Sequence, residues 1–117
     1  MQPETHKLLD DARKAGAAIL QFAANMTAQQ YESDLLLRSL VERQCEIMGE
    51  ALRRLERTDS RTFGRIRHAR RIIDFRNVIA HGYDSLDPLL VSQIVRIHIP
   101  LLLDDLRTAI LSARDDP

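Results

Sequence analysis

The chain has no tryptophan, and its aromatic residues together make up 4% of 117 residues. Its interior must therefore be aliphatic, built from Leu, Ile, Val and Ala in the way that packed helices favour. The same scarcity argues against a base-stacking platform of the kind many single-strand binders use. A lone cysteine, Cys45, excludes an internal disulfide. Its place in a helical stretch makes it a small core residue of a reducing compartment. No run of about 18 apolar residues occurs, and the first residues lack a basic segment followed by an apolar core, so neither a membrane span nor export is expected. The cytoplasm is the expected location. His-Glu-x-x-His, paired cysteines and a glycine-rich phosphate loop are all missing, which excludes zinc-hydrolase and nucleotide-hydrolase classes and predicts neither metal nor cofactor. Net charge is also absent, with 17 basic and 17 acidic residues.

What is present is a globular composition, 44% hydrophobic and 29% charged, at a length that one domain spanning 1–117 fills. No internal repeat or low-complexity tract interrupts it. Helical periodicity dominates. A first helix is predicted from a Thr5 N-cap to about Asn25, with Leu8, Leu9, Ala12, Ala15, Ile19 and Phe22 on its buried side. A turn region over 26–30 precedes a second helix from about Glu32 to Arg57, burying Leu36, Leu40, Ile47, Ala51 and Leu55. Thr58, Asp59 and Ser60 break it. A third helix is predicted over 62–81, and a fourth begins at Asp87 with Pro88 in the favoured first position and reaches about Ala113. Pro100 inside that helix predicts a kink over 96–100. Four helices with short connections predict an all-α, up-and-down four-helix bundle. Gly49 lies inside the second helix at a cost of about 1 kcal/mol relative to alanine, which calls for a close backbone approach. The approaching helix can belong to the same bundle or to a second protomer.

Nine arginines, Arg53, Arg54, Arg57, Arg61, Arg65, Arg67, Arg70, Arg71 and Arg76, crowd one segment, and Glu56, Asp59 and Asp74 only partly offset them. Such a segment attracts phosphate chains with salt-sensitive affinity, RNA among them. A solvated, salt-bridged helix face or an acidic protein partner explains it equally well. The segment ends in RNVIAHGY, where polar residues intrude on the apolar pattern. Arg76 falls on the stripe of Ala69, Ile72, Ile73, Ile79 and Ala80, so its guanidinium needs a carboxylate partner, for which Glu46 and Glu50 are candidates, or a cleft. Gly82 is placed to close the helix in the left-handed conformation, which leaves His81 in the last turn. There His81 can cap a terminal carbonyl or act on protons near neutral pH. Arg76 and His81 lie roughly 140° apart on an ideal helix, whereas Asn77 and His81 are neighbours one turn apart. One ideal helix cannot aim Arg76 and His81 at one atom. Either the last turn loosens, or equivalent helices of two protomers share one cleft. Tyr83, just past the helix, reads by itself as a half-buried ring with a wet hydroxyl. His6, His68 and His98 are expected to be structural or solvated.

The motif resembles that of HEPN-domain proteins of the HepT toxin type: Arg, four residues, His, any residue, Tyr. Arg76, His81 and Tyr83 match it, Asn77 matches the polar residue usual after the arginine, and EIMGEAL from Glu46 to Leu52 is similar to the family's GEA segment on an earlier helix. The likeness runs from about Ser33 to Ile110. The stretch TFGRIRHARRIIDF differs from the Pro and Trp often found before the arginine. The resemblance implies a homodimeric bundle and a metal-independent endoribonuclease of a toxin-antitoxin pair. Arg76 would bind the phosphate of RNA, His81 would move protons, Asn77 would orient one of them, and Glu46 and Glu50 would support Arg76. The resemblance also implies that Tyr83 is the AMPylation site of an MntA-like nucleotidyltransferase antitoxin. The alternative is a non-catalytic helical module that binds nucleotide or such a partner.

Overall fold

A computed structural model describes residues 1–81 and 86–114 of the chain. Its first helix, α1 (Pro3–Ala23), starts on Pro3, whose missing N–H costs nothing in a first turn. Thr5 is therefore not the N-cap. It is buried inside the helix, and its hydroxyl donates across the bundle to Asp59 at 3.3 Å. The expected turn at 26–30 instead leads into a short helix, α2 (Ala28–Ser33), started by a reciprocal pair between Thr27 and Gln30 at 3.0 and 3.1 Å. Asp34 accepts from the Leu37 N–H at 3.1 Å and begins α3 (Leu35–Thr58). Asp59 does the same for α4 (Ser60–Phe63), accepting from the Thr62 N–H at 3.0 Å.

The predicted third helix over 62–81 is divided. After α4 the chain turns, passes through His68 at φ 67°, and resumes as α5 (Ala69–Ala80). The cause is tertiary: Asp105 accepts from the backbone N–H of Arg67 at 2.7 Å and from its guanidinium at 2.9 Å, so that N–H is drawn out of any helical ladder. The last rod starts as expected, with Asp87 accepting from the Leu89 N–H ahead of α6 (Pro88–Gln93). The irregularity before Pro100 is one π-helical turn, Ile94–His98, before α7 (Ile99–Arg114). The Ile99 N–H reaches back to the Ile94 carbonyl. Widening the helix by one residue ahead of Pro100 relieves the clash that its ring would make with an α-helical carbonyl four residues back.

The rods α1, α3, α5 and α6–α7 make an all-α bundle, with no strand among the described residues. Helix α3 packs against α1 on one side and α5 on the other, α1 also packs on α7, and α2 covers α6. Leu9, Ile19, Met48, Leu52, Leu55, Ile72, Ile99, Leu102 and Leu106 are fully buried in one aliphatic core. Truncating any of them to alanine costs about 2–5 kcal/mol. Two expected core residues are not in it: Phe22 is 61% exposed and Leu36 is 82% exposed. Helix α3 is rotated relative to the predicted stripe and buries Val41, Cys45, Met48, Leu52 and Leu55, which leaves Leu40 and Ile47 at the margin.

Candidate active site

Gly49 and Arg76 meet where α3 crosses α5. A Cβ built on Gly49 would lie 2.4 Å from the Arg76 Cβ and 2.8 Å from its Cγ. The close approach predicted at Gly49 is therefore made by α5 of the same chain. Glycine there lets the stem of Arg76 lie flat against α3, which is how a guanidinium is accommodated on an apolar stripe.

The side chain of Arg76 is 29% exposed, and its head has two partners among the described residues. Its Nη2 lies 3.4 Å from Glu50 Oε2, and its Nη1 donates to the Asn77 side-chain oxygen at 3.2 Å. Of the two carboxylates expected near Arg76, Glu50 is the one that reaches it. Glu46 lies 3.8 Å from Arg43 instead. Glu50 is held more tightly by Arg53, which donates to both of its oxygens at 3.0 and 3.1 Å. That fork, with help from the charges of Arg53, Arg76 and Arg54, outweighs the burial penalty and keeps the Glu50 carboxyl below the usual carboxylate range.

His81 is the C-cap of α5, exposed, with its backbone N–H on the Asn77 carbonyl. Its ring Nδ1 is 2.5 Å from the same carbonyl oxygen. A carbonyl can only accept, so Nδ1 carries a proton, and whenever the ring is neutral Nε2 is its basic nitrogen. Asn77 thus binds Arg76 with its side chain and His81 with its backbone. Glu50, Arg76, Asn77 and His81 form one continuous polar chain, although the two ends of the motif sit on different sides of the helix. Gly82 and Tyr83 lie outside the described residues.

Arg76 opens into a groove of about 300 Å³ lined by Arg43, Glu46, Ile47, Glu50 and Arg54 of α3, with Leu8 and Asp11 of α1 on the far wall. The sequence pattern gave no weight to Arg43, although its spacing of seven and eleven residues from Glu50 and Arg54 puts all three on one face. It also left His68 and His98 unconnected. Their Nδ1 atoms are 3.0 Å apart and their ring centres 4.9 Å apart, joining the start of α5 to the π turn. Burial, with Arg71 and His68 nearby, pushes His98 below the ordinary histidine value. Among the described residues no group of three or more His, Cys, Asp or Glu is arranged to hold a metal ion, and no helix is long and apolar enough to cross a membrane.

A family model described as Ribonuclease HepT-like matches residues 12–109. That span takes in most of α1, all of α3 and α5, and every residue of the polar chain. No curated protein and no solved structure matches.

Proposed function

The chain belongs to the HepT-like ribonuclease family, and on that premise we propose that it is a metal-independent endoribonuclease toxin whose site is Arg76 and His81, with Asn77 between them. The observation that supports this most directly is the dual use of Asn77, which ties the guanidinium and the imidazole into one unit. Both residues reach solvent: the Arg76 side chain does so in part, and His81 is an exposed residue.

In the reaction, the RNA 2′-oxygen attacks the adjacent phosphorus and the bond from phosphorus to the 5′-oxygen breaks, giving a 2′,3′-cyclic phosphate and a 5′-hydroxyl end. Nε2 of His81 accepts the 2′-hydroxyl proton, a task suited to the tautomer that the Asn77 carbonyl imposes. Arg76 binds the phosphate and offsets the charge that builds on its oxygens. Glu50 holds Arg76 until the phosphate arrives, while Glu46 supports Arg43 at the groove wall. The departing 5′-oxygen needs a proton from elsewhere. A homodimer with two His81 rings facing one cleft supplies it, so we assign the acid to the second protomer. Tyr83, two residues beyond His81, is then the residue that an MntA-like nucleotidyltransferase antitoxin would AMPylate, placing phosphate charge beside Arg76 and blocking RNA. The chain acts as one domain, in the cytoplasm.

Purified protein should degrade RNA in the presence of chelator and leave cyclic phosphate ends. Arg76→Ala and His81→Ala should each lose at least a hundredfold in rate without loss of fold. RNA left intact by the parent protein would instead favour a helical module that binds without cutting. Co-expression with the nucleotidyltransferase followed by mass spectrometry tests the modification. An adduct on Tyr83→Phe as abundant as on the parent refutes that part.

A further inference from the structure

The arginines of this chain are not equivalent. Arg53 is taken up by Glu50, Arg67 by Asp105, and Arg70 by Glu56 on one side and the Phe63 ring, 5.5 Å away, on the other. Arg54 is exposed, lines the groove that Arg76 opens into, and has no carboxylate within ion-pair distance among the described residues. Arg43 is 70% exposed at the other end of the same groove, and its one ion pair among the described residues, to Glu46, is long at 3.8 Å.

The register between α3 and α5 says where each stands relative to the motif. Gly49 faces Arg76, and Glu56 pairs with Arg70, so the two helices run antiparallel. Counting five residues on from Arg76 and five back from Gly49 places His81 level with Gln44, beside Arg43. Arg54 lies beyond Arg76 in the other direction. From Arg43 to Arg54 the helix rises about 16 Å, with Arg76 near the middle, so three guanidinium groups are spaced along one groove.

Resting on the ribonuclease reading above, we propose that Arg43 and Arg54 are phosphate-binding residues on either side of Arg76, and that a single strand of RNA lies along α3 with its backbone in this groove. Arg43 holds a phosphate on the side of Arg76 toward the His81 end of α5, and Arg54 holds one further along the strand in the other direction. The groove carries its own negative charge in Glu46 and Glu50, and this is consistent with the assignment. Each carboxylate occupies an arginine that a phosphate would claim, at distances of 3.8 and 3.4 Å that are readily exchanged. Glu50 keeps Arg53 as its partner when Arg76 leaves it. Among the described residues no aromatic lines the groove, so affinity comes from the backbone and depends strongly on salt.

The test is the salt dependence of binding to a short 2′-O-methyl oligoribonucleotide, which presents the phosphates but has its attacking oxygen blocked. For a single strand each phosphate contact contributes about 0.7 to the slope of log affinity against log salt. Arg54→Gln and Arg43→Gln should each reduce the slope by that amount and weaken binding about fivefold at 0.1 M salt. Arg61→Gln, on α4 and outside the groove, should leave the slope unchanged, and circular dichroism melts should show all three variants folded. On cleavable RNA, Arg54→Gln should raise KM and leave kcat near the parent value. Unchanged slopes for Arg43→Gln and Arg54→Gln, an equal loss for Arg61→Gln, or no binding by the parent overturns the groove assignment. Failure of the ribonuclease reading looks different: the slopes fall as expected while the parent never cuts RNA.

Discussion

Replacing Gly49 with alanine sets two effects against each other, and the structure says which wins. Helix propensity alone favours the change by about 1 kcal/mol. The added methyl, however, would sit 2.4 Å from the Arg76 Cβ and 3.3 Å from the Ile72 carbonyl oxygen. Neither atom can rotate away, because a Cβ moves only with its backbone. Contact distance for two carbons is about 3.5–4.0 Å, so α5 must retreat from α3 by roughly 1 Å. Overpacking of this kind costs about 1–3 kcal/mol, and here the upper end applies. The net expectation is a destabilisation of about 2 kcal/mol, or a Tm lower by roughly 8 °C for a domain of this size. Activity should suffer more than stability does. Arg76 moves with α5, and in the role proposed for it a displacement of about 1 Å would cost on the order of a hundredfold in rate. Denaturant unfolding and RNA cleavage at 20 °C below the variant's Tm, a working margin of about two such shifts, separate the two effects. An alanine variant more stable than the parent, with cleavage intact, would refute the claim that Gly49 exists to let Arg76 in.

Asp59→Ala removes the cap of α4 together with the acceptor for both the Thr5 and Thr62 hydroxyls, and should cost about 1–2 kcal/mol by chemical denaturation. Cys45 is fully buried and its thiol is pushed up to about 12, mainly by burial, so a thiol reagent at neutral pH should label it only as fast as the protein unfolds. Asp105→Asn should weaken the hold on Arg67 and lower Tm, since the four hydrogen bonds from Arg67 lose a charged acceptor. His98 is held below the ordinary histidine value by burial, so the folded state resists taking up its proton. Its contribution to stability is present above the unfolded value of about 6.5 and is lost as pH falls toward the folded one. His98→Asn should therefore flatten the fall in denaturation midpoint between pH 7.5 and pH 5 (a window set by that value of about 6.5).

Periodicity alone was enough for the number of long helices and their order, because 3.6-residue patterning survives whatever the neighbours do. Asp87 with Pro88 and the interruption at Thr58 were legible for the same local reason. What failed were features set by partners far away in sequence. The helix predicted across 62–81 breaks because Asp105 takes the N–H of Arg67. Thr5 looked like a cap because its actual partner, Asp59, stands 54 residues on. Leu36 was drawn into the stripe by its spacing from Leu40, but Leu40 is itself only at the margin of the core. At the site, the pairing of Arg76 with one of two glutamates was foreseen, while the choice of Glu50 over Glu46 depends on the rotation of α3. That His81 could bond a terminal carbonyl was foreseen, but that this carbonyl belongs to Asn77, whose side chain also holds Arg76, was not, since no pattern of side chains reports which backbone oxygen accepts.

The arrangement also explains why the motif needs a second helix in its own chain. Arg76 and His81 diverge around α5, and a residue that oriented only one of them would leave the other to chance. Asn77 fixes both on the α5 side, but its grip on Arg76 is a single neutral acceptor at 3.2 Å. A guanidinium has five donors in a planar fork, and one such contact does not set the plane. Glu50 supplies the second point, from α3, and Arg53 in turn fixes Glu50. The orientation of Arg76 is therefore a property of the α3–α5 crossing and not of the motif sequence. By this reasoning Glu50→Gln, which keeps the shape but gives up the charge, should loosen Arg76 and release Arg53 into the groove together. RNA affinity should rise, because a carboxylate leaves the phosphate path, while kcat falls, because the phosphate is no longer met by a positioned fork. A variant in which affinity and kcat move in the same direction would show that Glu50 does not position Arg76.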